Sequence, residues 1–338
     1  MRPMGGIDVD ARHPIVLAVF SAVVMLSLAS TTLGQETLTA AVGARGNWHA
    51  HLDLLVNAVI AGLLIGGLYA AITVGLSIAF GMLDVVNIAH PAFVLLGSFL
   101  AFWFNDAFGL DPIVTGLVLS PIFFGLGIVV HRIYYTSFEK RSKETLRGLA
   151  FFFGLLFVTE VGLIMAFGVD YQVVRSGYLQ KTYSVAGLGF PLRLVVPFVA
   201  SLIMIAALQI LLNRTFFGRA IKAVSQDTGA LRMVGANPAR IKELGFALAV
   251  ATTSMAGALL ILVAPVQPAS ARDFIGRVFA ICVLGGMSSL PGTVVASVIL
   301  GVAESLTATF YGPSWSPAVA FGFLLLVLAW RPAGLMGR

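Results

Sequence analysis

Four polar side chains interrupt long apolar segments of this sequence and are the first candidates for chemistry. Asn87 and His90 lie in the run GMLDVVNIAHP at residues 81–91, between two apolar stretches. Glu160 and Glu304 each lie inside a later apolar stretch. Ionisable residues in a membrane interior are costly, and they mark solute pathways, proton relays or buried partners. For Glu304 we favour a hydrogen-bonding role beside a broken helix, whereas for Glu160 a pathway role and a packing role both remain open.

A second interruption, LGGMSSLPG at residues 284–292, combines glycines, serines and a proline inside an apolar region. This pattern predicts two half-helices that meet end to end, with N–H or C=O groups free to face a polar solute. We therefore expect the two interruptions to approach each other near a solute path. A lone histidine such as His90 more often hydrogen-bonds a helix than acts as a catalyst. The predicted pathway residues are Asn87, His90, Glu160, Gly285, Gly286, Ser288, Ser289 and Glu304.

Motifs for other chemistry are absent from the sequence. It contains no GxxxxGK[ST] phosphate loop, no HExxH and no GxSxG elbow, and its one cysteine, Cys282, excludes an internal disulfide and a cysteine cluster. His131 and the remaining histidines fall in predicted loops or termini, where we expect them to be solvated. The sequence therefore predicts a protein that is not an enzyme, with no catalytic residue, no metal site and no cofactor of its own.

The longest polar run, residues 213–243, is the element that must connect this apolar protein to a soluble partner. It holds six basic and two acidic residues between two apolar stretches, which predicts a cytoplasmic loop. Asp227 is placed to cap a short helix through residue 234, and Gly235 to end it in a left-handed conformation. Asn237, followed by proline, predicts the start of the next helix.

Three apolar side chains of that short helix, Leu231, Met233 and Val234, would lie on a water-exposed element. They either pack on the protein's own surface or form a docking knob for a soluble partner. The charge pattern does not indicate nucleic-acid binding, because 15 of the 21 Lys and Arg residues lie in the two termini, residues 131–147 or residues 213–243. That distribution is typical of positive-inside membrane proteins.

Composition assigns the chain to the membrane proteins. Of its 338 residues 59% are hydrophobic and 11% charged, and the mean hydropathy is +0.97. Long continuous apolar runs favour helices over a barrel. We predict an all-α polytopic protein with about 8–10 transmembrane helices, broken or re-entrant segments, and both termini in the cytoplasm.

The chain divides into an N-terminal extension, residues 1–51, and a transmembrane domain, residues 52–338. Residues 14–33 within the extension suit either a retained helix or a cleaved signal, and pattern alone does not separate the two. Residues 131–147 read as a second basic cytoplasmic loop, and residues 265–277 as an external polar turn.

Three blocks of the sequence resemble those of the branched-chain amino acid ABC importer permeases. They are GLLIGGLYAAITVGLSIAFGMLDVVNIAHPAFVLLGSFLAF at residues 62–102, GRAIKAVSQDTGALRMVGAN at residues 218–237 and LGGMSSLPGTVVASVILGVAESL at residues 284–306. Their order and spread over residues 52–338 make the match specific. By this resemblance the middle block corresponds to the loop that contacts the ATPase. Its predicted coupling residues are Gly218, Arg219, Lys222, Asp227, Leu231, Met233, Gly235 and Asn237.

The resemblance implies a permease subunit in the cell inner membrane that passes a small polar solute, above all a branched-chain or other amino acid. It further implies two cytoplasmic ATPase subunits that bind the ATP, a second permease subunit and a periplasmic solute-binding protein. For the second permease subunit we favour a different chain, and a second copy of this chain is the alternative. One departure affects the solute: the family continues Asn-x-Ala-His with Gly and an acidic residue, whereas Pro91 and Ala92 stand here. Urea or a short amide, carried by similar permeases, is therefore the alternative solute.

Two functions of other classes compete with this interpretation. An ion-coupled secondary transporter would use Glu160 and Glu304 as proton carriers, but it leaves the structured basic loop without a role. An intramembrane enzyme lacks a paired Asp motif, a metal set and a nucleophile–base pair.

Overall fold

The computed structural model of the chain describes residues 48–139, 145–174, 176–185, 188–287, 289–330 and 334–336. Contacts between Cα atoms group the chain into two units, residues 1–54 and residues 55–338. The described part of the first unit is the beginning of the first helix. The predicted retained helix or cleaved signal at residues 14–33 lies outside the described residues, and the domain boundary after residue 51 stays a prediction.

The described residues form eleven α-helices joined by short connections. Their bounds are α1 Trp48–Leu76, α2 His90–Phe108, α3 Pro112–Tyr134, α4 Thr145–Phe167, α5 Leu192–Arg214, α6 Phe216–Gln226, α7 Thr228–Met233, α8 Pro238–Val263, α9 Ala271–Gly285, α10 Leu290–Phe310 and α11 Ser316–Trp330. Two π helices, Ser77–Met82 and Tyr135–Glu139, extend α1 and α3. A hairpin of β1 (Thr182–Val185) and β2 (Leu188–Pro191) is antiparallel, and 3₁₀ turns lie at Pro268–Ser270 and Pro313–Trp315.

Seven helical stretches of the described residues are long and apolar enough to cross a membrane. They are His51–Met82, His90–Phe108, Pro112–Phe138, Arg147–Phe167, Leu192–Arg214, Pro238–Val263 and Leu290–Phe310. Helices α9 and α11 have 15 residues each, which at 1.5 Å per residue is roughly 22 Å, short of a membrane's hydrocarbon core of about 30 Å. The all-α, polytopic fold class predicted from the apolar runs is confirmed.

Helix α8 lies at the centre of the bundle. In the most apolar 18-residue stretch of α8, 83% of the residues are buried, compared with 22% in the corresponding stretch of α4. Val158 of α4 faces outward. Small residues allow neighbouring helices to approach it, because a Cβ added to Gly257 would lie only 2.1 Å from the Val94 carbonyl oxygen of α2. On the α3 side the Ser254 hydroxyl donates a 2.9 Å hydrogen bond to the Gly116 carbonyl.

Three connections meet at one end of the bundle, which we call the distal face. They join α2 to α3, α4 to α5 and α8 to α9. The Tyr178 hydroxyl donates a 2.7 Å hydrogen bond to Asp111, and burial together with this bond raises the pKa of Tyr178. Gln172 and Val266 form an antiparallel bridge, with N–H to O=C distances of 2.8 and 3.1 Å. The opposite end, which carries α6 and α7, we call the loop face. The distal face comprises residues 109–111, 168–174, 176–185, 188–191 and 264–270.

Two predicted loops are shorter in the structure than the sequence suggested. The polar turn expected at residues 265–277 is wrong in its second half, because α9 begins at Ala271 after a single 3₁₀ turn. At residues 131–147 helix α3 continues to Tyr134, and a π helix follows it to Glu139. Both errors come from charged residues, which a helix tolerates when its polar side chains find partners or reach the membrane surface.

Candidate functional site

Asn87 is completely buried in the non-helical stretch that separates the π helix Ser77–Met82 from α2. Neither its amide nitrogen nor its amide oxygen has a hydrogen-bond partner among the described residues. A buried polar group without a partner costs about 1–3 kcal/mol, so such a side chain calls for a functional explanation. Its place in a helix break suits contact with a polar solute, and its assignment to a solute path stays a prediction.

His90, the first residue of α2, secures this break to α1. Its Nε2 lies 2.8 Å from the Ile72 carbonyl oxygen, and its ring is fully buried. Gly75 makes room for that ring, because a Cβ there would lie 2.8 Å from the Cε1 of His90. The helix-bonding role expected for a lone histidine is therefore confirmed. The Nδ1 has no partner among the described residues.

The π helix before this break contacts two different parts of the protein. At its start, the hydroxyl groups of Ser77 and Thr293 are 2.8 Å apart, and Ser77 also donates to the Cys282 thiol at 3.6 Å. Leu83 lies just past the end of this π helix and packs beside Gly245 and Ile221. A Cβ built on Gly245 would lie 3.1 Å from the Leu83 side chain and 3.4 Å from that of Ile221. The first break therefore contacts both α9–α10 and the loop-face helix α6.

Backbone conformation marks the same break as unusual. Asp84 has a φ of 59°, and it alone among the described non-glycine residues has a positive φ. Aspartate tolerates this region better than most residues. A π helix is itself rare and frequent at functional sites. The coincidence of the two features in one short segment marks the break as a candidate functional element.

The second break, between α9 and α10, is held by backbone contacts. Gly286 has a φ of 91°, and the Ser289 hydroxyl accepts a 3.1 Å bond from the Gly292 amide as the cap of α10. Gly285 and Gly292 touch, because a Cβ on Gly292 would lie 1.9 Å from the Gly285 carbonyl oxygen. The predicted interruption between two helices is present, but the expectation of two half-helices meeting end to end is wrong, because α10 has 21 residues and runs back beside α9, where Arg277 meets Glu304. Ser288 lies outside the described residues.

The C-terminal segment reaches the same second break. The Leu335 amide donates a 2.7 Å bond to the Leu284 carbonyl, and the Met336 amide a 3.3 Å bond to that of Gly285. These bonds satisfy carbonyl groups that the end of α9 leaves without helical partners. The polar backbone of this break is thus partly occupied by the protein itself.

The structure brings the two interrupted regions together through Ser77, Cys282 and Thr293. The described contacts of Asn87 and His90 go elsewhere, to α1 and the start of α2. A joint solute site of Asn87 and the second break therefore stays a prediction.

Glu160 is buried on α4 and forms an ion pair with Arg272 of α9. The guanidinium donates two hydrogen bonds, of 2.6 and 3.1 Å, one to each carboxylate oxygen. Arg272 also lies 5.1 Å from the centre of the Phe157 ring. This two-pronged geometry favours a packing role for Glu160, one of the two roles left open by the sequence.

Glu304 is buried on α10 and joins three helices. Arg277 of α9 donates a 3.0 Å hydrogen bond to one carboxylate oxygen, and the Tyr69 hydroxyl of α1 donates a 2.6 Å bond to the other. The hydrogen-bonding role preferred for Glu304 agrees with this geometry, and its partners are the side chains of Arg277 and Tyr69.

Arg272 and Arg277 are functional-site neighbours that the sequence did not reveal. Both fall in the segment predicted as a polar turn. The available signal was the apolar run that follows Arg277. A helix formed by this run can begin before the two arginines, because each arginine has an intramembrane carboxylate as its partner.

The loop face is built on helix α6, which was not predicted. Thr215 caps it by accepting a 3.0 Å hydrogen bond from the Gly218 amide. Gly218 is buried against α5, where a Cβ would lie 2.3 Å from the Leu212 Cα, so only glycine fits this junction. Lys222 hydrogen-bonds Asn213, whereas Arg219 is exposed. Of the predicted coupling residues, Gly218 and Lys222 thus hold α6 on α5.

The short helix α7 has the local structure that the sequence predicted. Asp227 accepts hydrogen bonds from the amides of Gly229 and Ala230, Gly235 has a φ of 79°, and Asn237 caps α8. Leu231 is half-buried. The alternative of a helix packed on the protein's own surface is disfavoured, because Met233 and Val234 are 84% and 78% exposed.

His131 corrects another prediction, because it is fully buried rather than solvated. Its ring stacks on that of Tyr135 with centroids 6.3 Å apart and lies 5.5 Å from that of Phe246 on α8. The helix α3 continues through this position, so the side chain faces the bundle. Among the described residues, no group of three or more His, Cys, Asp or Glu side chains is arranged to hold a metal ion.

The structure is that of a multi-pass membrane permease. Apolar spans surround a buried central helix, two helices are interrupted by polar residues, and a polar loop with capped helices lies at one end. Residues 58–328 match the family described as "Branched-chain amino acid transport system / permease component". This match spans most of the sequence, so the chain belongs to that family, and the resemblance noted from its three sequence blocks is confirmed.

Individual relatives agree with this family. The high-affinity branched-chain amino acid transport system permease protein BraD of Pseudomonas aeruginosa is 27% identical over 302 residues, covering 85% of this chain and 96% of BraD. LivH of Escherichia coli, with the same description, is 28% identical over 304 residues, covering 82% of this chain and 94% of LivH. LivM of Escherichia coli is 27% identical, covering 80% of this chain and 68% of LivM. No solved structure matches the chain.

Proposed function

We propose that the chain is the transmembrane permease subunit of an ATP-binding-cassette importer for a small polar solute, above all a branched-chain amino acid. Family membership supports the transport role. The single observation that carries the coupling mechanism is helix α7, a capped helix whose apolar tip of Met233 and Val234 is exposed. An exposed apolar tip on a fixed element is suited to dock in a groove of a partner.

In this proposal α7 docks on one of two cytoplasmic ATPases, which bind all the ATP. The basic loop, and with it the loop face, lies in the cytoplasm, and the distal face lies in the periplasm. In the periplasm, the distal face receives the solute from a periplasmic binding protein. A second, different permease chain completes the path across the inner membrane. Both termini are cytoplasmic.

A motion of α7 has a direct route to the first break. Helix α6 precedes α7, and its buried Ile221 lies beside Leu83, just past the π helix. At the other end of that helix Ser77 contacts α9 and α10. Packed side chains transmit displacement because an interior has few voids. Nucleotide-driven closure of the ATPases is thereby coupled to both broken helices.

The test is ATP hydrolysis by the assembled complex, with and without the liganded binding protein. Met233→Asp places a charge at the docking surface and should abolish stimulation by the binding protein, whereas the control Met233→Leu keeps it. Stimulation at the wild-type rate in Met233→Asp would exclude α7 as the coupling element. Competition of leucine uptake by urea and acetamide separates the amino acid from the alternative solute.

The secondary-transporter alternative loses support. Its two candidate carriers, Glu160 and Glu304, each form an ion pair with an arginine of α9 that holds the side chain in place, and the matched family is described as a permease component of a transport system.

A further inference from the structure

A cavity of about 650 Å³ opens on the distal face, at the far end of the bundle from α7. It lies between residues 173–174 and 176–182, the first turn of α5 and the last turn of α8. The segment that covers it is fixed by the Gln172–Val266 bridge and by the hydrogen bond from Tyr178 to Asp111. This volume is within the range of about 300–1,000 Å³ found for small-molecule sites.

One wall of the cavity is the carboxyl end of α8. The carbonyl of Ile261 has no helical partner, because residue 265 is a proline without an N–H group. The Val266 amide, which would serve the Leu262 carbonyl, donates to Gln172 instead. A helix end with free carbonyl groups carries partial negative charge and attracts cations.

Another wall carries the opposite charge. Arg193, in the first turn of α5, lines the cavity and is exposed. No described residue forms an ion pair with it. The hydroxyl-bearing residues Ser176 and Thr182 line the cavity as well. A guanidinium that lines a cavity is well suited to bind a carboxylate there, and hydroxyl groups in the same lining add hydrogen-bond donors.

Apart from Gln180, the rest of the lining is apolar. Val174, Ile261 and Leu262 are buried and line the cavity between the charged and the carbonyl-bearing walls. A ligand that satisfies all three surfaces has a carboxylate, an ammonium group and an aliphatic side chain.

We propose that this cavity is a binding site for a free α-amino acid with an aliphatic side chain. Its carboxylate pairs with Arg193, its ammonium group lies at the carbonyl end of α8, and its side chain contacts the apolar lining. The proposal rests on the proposed function, since it adds an entry site to the same importer. The site is separate from the two helix breaks and lies on the face that receives solute.

The test is equilibrium binding of radiolabelled L-leucine to the assembled complex in lipid nanodiscs, without binding protein or nucleotide. Arg193→Gln should weaken leucine binding by about tenfold, because a charge-assisted hydrogen bond is lost. Arg214→Gln removes a charge from the other end of α5 and is the matched control, with no expected effect. Leucinamide and 4-methylpentanoate, each lacking one charge, should compete poorly.

Three results would overturn the site: equal leucine affinity in Arg193→Gln and wild type, leucinamide competing as well as leucine, or no leucine binding to wild type. The site would also be overturned if Arg193→Gln bound leucine normally but needed more binding protein for half-maximal ATP hydrolysis. That result would assign Arg193 to docking of the binding protein. The proposed function fails separately, if the wild-type complex shows no ATP hydrolysis stimulated by liganded binding protein.

Discussion

The hydroxyl groups of Ser77 and Thr293 lie 2.8 Å apart, and this hydrogen bond joins the π helix of the first break to the first turn of α10. Both side chains are fully buried. The end of the first helix and the start of α10 are therefore hydrogen-bonded here, in addition to the bond between Tyr69 and Glu304, although Ser77 and Thr293 are 216 positions apart in the chain.

This bond should matter for transport. Thr293→Val keeps the shape of the side chain but leaves the Ser77 hydroxyl with only the weak thiol of Cys282 as a partner, which costs about 1–3 kcal/mol. We expect lower thermal stability and slower uptake. The double variant Ser77→Ala with Thr293→Val should recover part of the stability but not the uptake, as measured by thermal denaturation and uptake into vesicles. Full uptake in both variants would show that the bond serves folding alone.

Asn87→Leu should separate stability from function. Replacing the buried amide, which has no partner among the described residues, removes a desolvation cost of about 1–3 kcal/mol. The variant should therefore be as stable as wild type or more so, while uptake is lost.

The matched control for Asn87→Leu is Thr73→Val, which removes a different buried polar group, a hydroxyl without a described partner. It should raise stability and leave uptake unchanged. A stable Asn87→Leu permease with normal uptake would remove this residue from the solute path.

The two intramembrane ion pairs should differ in their contribution to stability. Glu304→Gln leaves Arg277, whose side chain is only 19% exposed, without its charged partner, and breaking such a buried pair costs about 3–5 kcal/mol. Glu160→Gln should cost less, because the Arg272 side chain is 55% exposed and solvent screens its charge. Thermal unfolding of the two variants measures the difference, and a larger loss in Glu160→Gln would contradict this ranking.

Gly235 should be required for its backbone conformation rather than for space. Its φ is 79°, and no atom lies within 4 Å of a Cβ added there. A β-branched residue in this region costs about 1–2 kcal/mol or more, so Gly235→Val should misplace α7 and uncouple ATP hydrolysis from uptake. Gly235→Asn, which tolerates the left-handed region, should keep coupling. Equal coupling in the two variants would argue against a left-handed requirement.

Membrane orientation can be checked with an impermeant thiol reagent in intact cells. In a Cys282→Ala background, Ser225→Cys on α6 and Ser142→Cys should not react, because we place both in the cytoplasm. Gly177→Cys on the distal face should react. Labelling of Ser225→Cys from outside would reverse the orientation.

The sequence by itself was sufficient for features that depend on neighbouring residues. The cap at Asp227, the left-handed Gly235 and the start of α8 after Asn237 each follow from side-chain and backbone chemistry within one helical turn. The long apolar runs likewise determined an all-α membrane fold, because a lipid environment requires backbone groups to pair within helices.

Only the tertiary structure decided which polar side chains meet. His131 is buried among aromatic rings from α3 and α8, and Arg272 and Arg277 pair with carboxylates 112 and 27 residues away. The sequence records each charge but not its distance from a partner on another helix. That distance depends on how side chains of different helices interlock, and it determines whether a charged residue ends a helix or is stabilised inside the membrane.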